Sequence, residues 1–239
     1  LIENALMEDY TVMPIFYSEY SSAIDDFFDN FEGCAGAILF RDEIDPSAPG
    51  YWGSDASVEE ILHTINSCGH VEVYPAAFAL EPNSSLLTEA MDVARGGQFL
   101  TVPDEYPEEA WYHYDDWTCD YECMMIEYMY WAIVSYMGIL NDPQTAQGIS
   151  DEWEPYNATL LQSMDTLMYN LITDPQYKLP LLAPDGNYCP NTSSVSEMNA
   201  DKKLLKIVDV LGRESLPQNN APLFHIYENG TVEKRIILE

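Results

Sequence analysis

Residues 120–140 (DYECMMIEYMYWAIVSYMGIL) are apolar nearly all the way round a helix. A helix of that character has no wet face, so other elements must wrap it. The richest part, residues 124–140, falls short of the ~20 residues a membrane span needs, and Glu127 and several tyrosines interrupt it. It therefore predicts the central buried helix of a globular body. Glu127 is the one acid inside that run. A lone ionised carboxylate there is costly unless paired or metal-bound, which makes it a candidate functional residue.

The 239 residues fit one large domain, or one domain with an appendage, and 47% hydrophobic content is ample for a core. Net charge is −32 and unevenly placed. Six of the nine Lys and Arg lie in residues 201–239, together with six acids; the first 200 residues hold only Arg41, Arg95 and Lys178 as permanent cations. The charge shift and the polar stretch 190–199 predict an acidic, helix-rich body over residues 1–195. A charge-balanced module of a helix and a β-hairpin follows over 196–239. A surface this acidic repels nucleic acid and anionic lipid and attracts cations, Ca²⁺ among them. Adaptation to high salt would also explain few lysines, but not the cysteines and sequons described next.

The chain starts at Leu1 without an initiator methionine or signal peptide, as a chain relieved of its leader would. Four Asn-x-Ser/Thr sequons, at Asn83, Asn157, Asn191 and Asn229, lack an intervening proline and sit near turn signals. They predict N-glycans on a secreted, extracellular protein. Cys34, Cys68, Cys119, Cys123 and Cys189 match no zinc ribbon or finger. In a secreted chain they predict two disulfides and a leftover thiol. The spacing of Cys119 and Cys123 places them on one helix face without making them partners.

Along the chain, residues 9–31 read as helix, 35–40 as a buried strand and 45–53 as a loop. Ser57 reads as the N-cap of a helix that stops near Cys68-Gly69, with 71–78 extended beyond it. Residues 85–95 read as a helix closed by Gly96-Gly97, and 103–117 as an aromatic loop. Residues 150–173 give one or two helices, 179–190 a proline-punctuated loop, and 200–211 an amphipathic helix. Residues 223–238 read as a hairpin around Asn229-Gly230.

Chemistry points first to Ser57-Val58-Glu59-Glu60-Ile61-Leu62-His63-Thr64-Ile65. Glu59 and His63 are four apart, so a helix projects both to one side. The segment resembles the His-Glu-x-x-His helix of zincin metallopeptidases, with Glu59 in place of the first His. In the gluzincin branch a glutamate on a later helix completes the site, and Glu127 stands in that order. The resemblance covers roughly residues 35–140. It implies a zincin-like α+β body with Glu59, His63 and Glu127 as metal ligands and Glu60 as general base. It further implies one divalent metal, zinc or a harder ion, since glutamate for histidine hardens the site. His70, seven beyond His63, fits neither zincin class closely.

A second candidate is the acidic-aromatic stretch 111–122, where Asp115, Asp116, Asp120 and Glu122 could gather around Ca²⁺, although no EF-hand loop is present. Tryptophan and tyrosine beside carboxylates also suit sugar binding or paired-carboxylate glycosidase chemistry. No phosphate loop, dinucleotide fingerprint or Gly-x-Ser-x-Gly elbow occurs. The ensemble is also similar to secreted proteins of marine organisms that carry no assigned activity. The leading expectation is a secreted acidic glycoprotein whose zincin-like metal site serves extracellular binding or assembly. An active metal-dependent peptidase is one alternative. The other is a structural subunit of an extracellular filament or matrix, self-assembling through the C-terminal module by strand addition.

Overall fold

The computed structural model describes residues 1–44, 55–184, 204–209, 213–216, 222–227 and 232–235. The chain divides into two units, Leu1–Pro184 and Asp185–Glu239. The first begins with α1 (Ile2–Glu8), β1 (Ile15–Phe16), α2 (Ala23–Asn30) and β2 (Leu39–Phe40). It continues through α3 (Ser57–Ile65), the single turns α4 (Val71–Val73) and α5 (Pro75–Phe78), and α6 (Leu86–Ala94). After a long loop come α7 (Tyr121–Met137), α8 (Pro143–Gly148), α9 (Ala158–Met164) and α10 (Thr166–Thr173). The second unit carries β3 (Leu204–Val208), β4 (Leu223–Tyr227) and β5 (Val232–Arg235). The architecture is α+β and helix-rich.

α7 lies in the core of the first unit, as its composition requires. The Asp120 side chain accepts a hydrogen bond from the Cys123 amide at 3.0 Å and caps its start. Gly138, at φ +79, closes its end in the left-handed conformation that a Cβ would disfavour. Its buried Met124, Met125, Tyr128 and Ile133 share one core with Leu87 and Met91 of α6 and with Leu161, Met168 and Ile172 of α9 and α10. α6 matches expectation closely. Ser85 accepts from the Thr88 amide at 3.2 Å, and Gly96, at φ +71, terminates the helix.

One buried polar node fastens this core. Asp165 caps α10 through the Met168 amide at 3.1 Å. Its other oxygen accepts from the Trp111 indole at 3.0 Å and the Tyr128 hydroxyl at 2.5 Å. Asp165→Ala strands two donors, the Tyr128 hydroxyl fully buried, and removes a cap. Each lost partner costs about 1–3 kcal/mol. Chemical denaturation should therefore read a loss of about 3–5 kcal/mol.

Two disulfides are present, Cys34–Cys68 and Cys119–Cys123; Cys189 lies outside the described residues. The second pairs the two cysteines whose spacing alone made no case for a bond. Asp120 caps the helix, so Cys119 stands just outside it and turns back over the first turn to Cys123, with the Cα atoms 5.4 Å apart. Chain-entropy arithmetic gives about 4 kcal/mol for the 34-residue separation and about 2 kcal/mol for the four-residue one. Paired Cys→Ser variants of each bond, unfolded in urea, should show that order.

Several sequence expectations are corrected. Residues 9–31 are not one helix; α1 ends at Glu8, and Pro14 precedes β1, which pairs in parallel with β2. Proline removes an amide donor and disfavours helix in the residue before it. The expected strand 35–40 shrinks to Leu39–Phe40. Ser57 is the first helical residue rather than the cap, and the Asp55 carboxylate accepts from its amide at 2.8 Å. Helix does not stop at Cys68-Gly69. It continues as a π-turn over Asn66–His70 into α4 and α5, where an extended segment was expected. Gly69 serves close packing: a Cβ there would stand 2.9 Å from Ile2 of α1.

In the second unit, residues 204–208 form β3 and not part of a helix over 200–211. β3 and β5 flank β4 in an antiparallel sheet. β4 and β5 pair as the two arms of the expected hairpin; its turn at Asn229-Gly230 and the loop expected at 45–53 lie outside the described residues.

Candidate metal centre

α3 carries Glu59 and Glu60 in its first turn and His63 in its last. Glu59, Glu60 and His63 each offer a ligand atom, and these atoms lie within 4.8 Å of one another. His63 is buried, with 6% exposure. Its Nδ1 lies 3.7 Å from the Glu60 carboxylate. Its Nε2 lies 3.6 Å from the Glu127 carboxylate on α7 and has no hydrogen-bond partner. The helix that had to be central thus presents its one internal acid to the histidine of α3. The Tyr130 ring packs edge-on against His63 at 5.6 Å, and the Tyr130 side chain hydrogen-bonds Glu59.

Glu127 faces the ring nitrogen opposite the one Glu60 approaches. The ligand atoms that lie within 4.8 Å of one another are those of Glu59, Glu60 and His63, and Glu127 is not among them.

Electrostatics describe a cation-seeking site. Burial pushes Glu127 up to about 7; His63 offsets this in part, while Glu59, Glu60 and Glu152 add to it. Burial likewise raises Glu59 to about 6, with His63 and Tyr130 pulling down and Glu60 and Glu43 pushing up. For His63, burial works against the charged ring, but Glu60, Glu127 and Glu59 outweigh it and hold the imidazole above its ordinary value. Each of these groups thus holds its proton to a higher pH in the folded chain than its ordinary value.

Sequence reasoning missed Glu152. The loop after α8 is held to the aromatic loop by a bridge between Tyr112 and Trp153 and by the His113 amide donating to the Glu152 carbonyl at 2.7 Å. Its carboxyl is raised to about 7, chiefly by burial and by Asp115, with the Trp131 side chain hydrogen-bonded to it. A pairing about forty residues apart in sequence leaves no local signal.

The second candidate does not gather. Asp116 accepts from the Thr118 amide and hydroxyl, Asp120 caps α7, and both are exposed, as are Asp115 and Glu122. Among the described residues, the group able to hold a metal is the one on α3. His70 is buried against the Phe78 ring at 5.8 Å, and burial lowers its pKa. Asn83 and Asn157 lie on the first unit, Asn83 exposed in a left-handed turn (φ +63) and Asn157 capping α9. Asn191 and Asn229 lie outside the described residues.

No protein-family model, curated protein or solved structure matches the chain. No described helix is long and apolar enough to cross a membrane.

Proposed function

We propose that this chain is a secreted acidic glycoprotein that holds one divalent cation between α3 and α7 and uses that centre for extracellular binding, not for peptide hydrolysis. The observation that carries the reading is the buried, unpartnered Nε2 of His63 facing Glu127 across 3.6 Å, while Glu60 occupies the opposite ring nitrogen. In this reading Glu59 and His63, two members of the α3 group, supply ligands, and Glu127, which faces Nε2 from α7, completes the set. Glu60 takes the place of the outer carboxylate that orients a metal-bound histidine through its second nitrogen. A carboxylate used there is turned from the water that a peptidase base must activate, which sets Glu60 apart from the zincin base it resembles. Two carboxylates with one imidazole suit zinc or manganese and are poorer for calcium, which prefers an all-oxygen shell.

Titration calorimetry of the chelator-treated full chain with Zn²⁺, Mn²⁺ and Ca²⁺ in turn tests the reading. One site is expected for zinc or manganese, with Glu60→Gln weakening it about 10–100-fold. Glu60-dependent peptide hydrolysis by the metal-loaded chain would overturn the binding reading in favour of the enzyme.

The C-terminal sheet favours a second role. Among the described residues β3 and β5 are its outer strands; residues 213–215 fold back on part of β3, which leaves β5 as the outer strand to which a neighbouring chain can add one of its own. Assembly through this unit is compatible with a metal centre in the first.

A further inference from the structure

The sequon at Asn83 sits beside a surface groove that the metal centre does not use. Glu81, Asn83 and Ser84 form an exposed turn, with the Ser84 amide and hydroxyl both donating to the Glu81 carbonyl. Asn83 stands at φ +63, a conformation asparagine tolerates better than most residues. Asn83 lines a groove of about 590 Å³ beside α6. Glu89, Asp92 and Val93 are among the other residues that line it. Glu89 and Val93 are exposed, whereas Asp92 is half-buried and already accepts from the Tyr121 hydroxyl and the Gln98 amide. Carboxylate oxygens keep further lone pairs for hydroxyl donors. The groove thus offers a polar wall for sugar hydroxyls and an apolar patch at Val93 for a sugar ring.

We infer that Asn83 carries an N-linked glycan whose first sugars lie in the α6 groove. The inference rests on the chain's passage through a secretory pathway, but not on the metal centre. In the modifying step, Asn83 Nδ2 forms a bond to the anomeric carbon of a lipid-diphosphate-linked oligosaccharide. The carbon–oxygen bond to the diphosphate breaks, the diphosphate leaves with the electron pair, and the amide nitrogen gives up one proton. Ser85 completes the sequon, and in the folded chain its hydroxyl donates to the Ala79 carbonyl at 2.7 Å while accepting from Thr88. The sugar is therefore added before α6 closes over that hydroxyl.

The test uses the full chain secreted from a eukaryotic host. Peptide mass spectrometry should find hexosamine on Asn83, lost in Asn83→Asp, which keeps the turn, and retained in Ser85→Thr, which keeps both sequon and cap. On the native protein an amidase that hydrolyses the glycan–asparagine amide bond should release this glycan at least tenfold more slowly than after denaturation. Glu89→Ala with Val93→Ala should remove most of that protection. Sugar on Asn157 but not on Asn83 would overturn the inference and leave secretion standing. An unmodified chain would sink both. An occupied Asn83 cleaved equally fast in native and denatured protein would overturn the seating in the groove.

Discussion

Replacing Glu127 with glutamine is expected to make the metal-free protein more stable at pH 8 and, at the same time, to cut its affinity for zinc or manganese about a hundredfold or more. The two effects share one cause. Glu127 is held near pH 7 by burial against an ordinary value of 4.5, so ionising it at pH 8 costs the folded state. A neutral amide of the same shape relieves that cost, about 1.4 kcal/mol for each pH unit of the shift. The amide is also a far poorer metal ligand than the carboxylate, and a hundredfold loss corresponds to about 2.7 kcal/mol. His63→Ala should lose the ion as completely without stabilising the metal-free chain, because it strips the carboxylates of their counter-charge. Calorimetry and thermal melts with chelator read both quantities. A Glu127→Gln variant that is destabilised and binds metal normally would make Glu127 a plain structural partner of His63.

Acidity should act on the metal-free and metal-loaded proteins in opposite directions. Glu59 and Glu127 titrate near 6 and 7 in the folded chain and near 4.5 when unfolded. The folded state therefore binds more protons through this interval, and stability falls as pH rises through it. His63, raised in the folded state, acts in the same sense, since its contribution is lost as pH climbs through its folded value. Together Glu59 and Glu127 should cost the metal-free protein about 3–5 kcal/mol between pH 4.5 and 8. For a chain of this size that lowers Tm by roughly 10 °C. An ion needs the same groups deprotonated, so its affinity should rise over that range. At about a thousandfold excess over Kd it adds about 4 kcal/mol. Melts from pH 5 to 8, with chelator and with saturating manganese, should diverge steadily. Parallel curves, or a Glu59→Gln, Glu127→Gln double variant with the wild-type slope, would contradict the assignment.

The residues of the candidate centre stand out in the sequence because they break local patterns. Glu127 is one acid in an apolar helix, and Glu59 and His63 stand one turn apart on a short helix whose acids sit at its start. Residue type and spacing bring Glu59 and His63 together, and the packing of α3 near α7 sets Glu127 opposite the His63 ring. Glu152 carries no such mark, because only the Tyr112–Trp153 bridge brings its loop to the aromatic one. Elements were misread where short apolar runs are ambiguous. Leu204, Leu205, Ile207 and Val208 fit a helical stripe as well as a strand, and pairing with β4 decides for strand. Gly69 reads locally as a helix stop, whereas its reason for being glycine is α1 against it. Such long-range contacts are invisible to periodicity. Of the zincin likeness, the structure keeps the Glu59, Glu60 and His63 group on α3.

The most direct test of the centre is the metal content of the full chain, purified without chelator, desalted and weighed by native mass spectrometry beside its His63→Ala variant. One zinc or manganese ion per wild-type chain, absent from the variant, is the predicted result. A wild-type chain that carries no divalent transition ion and takes none up when supplied with either would contradict it.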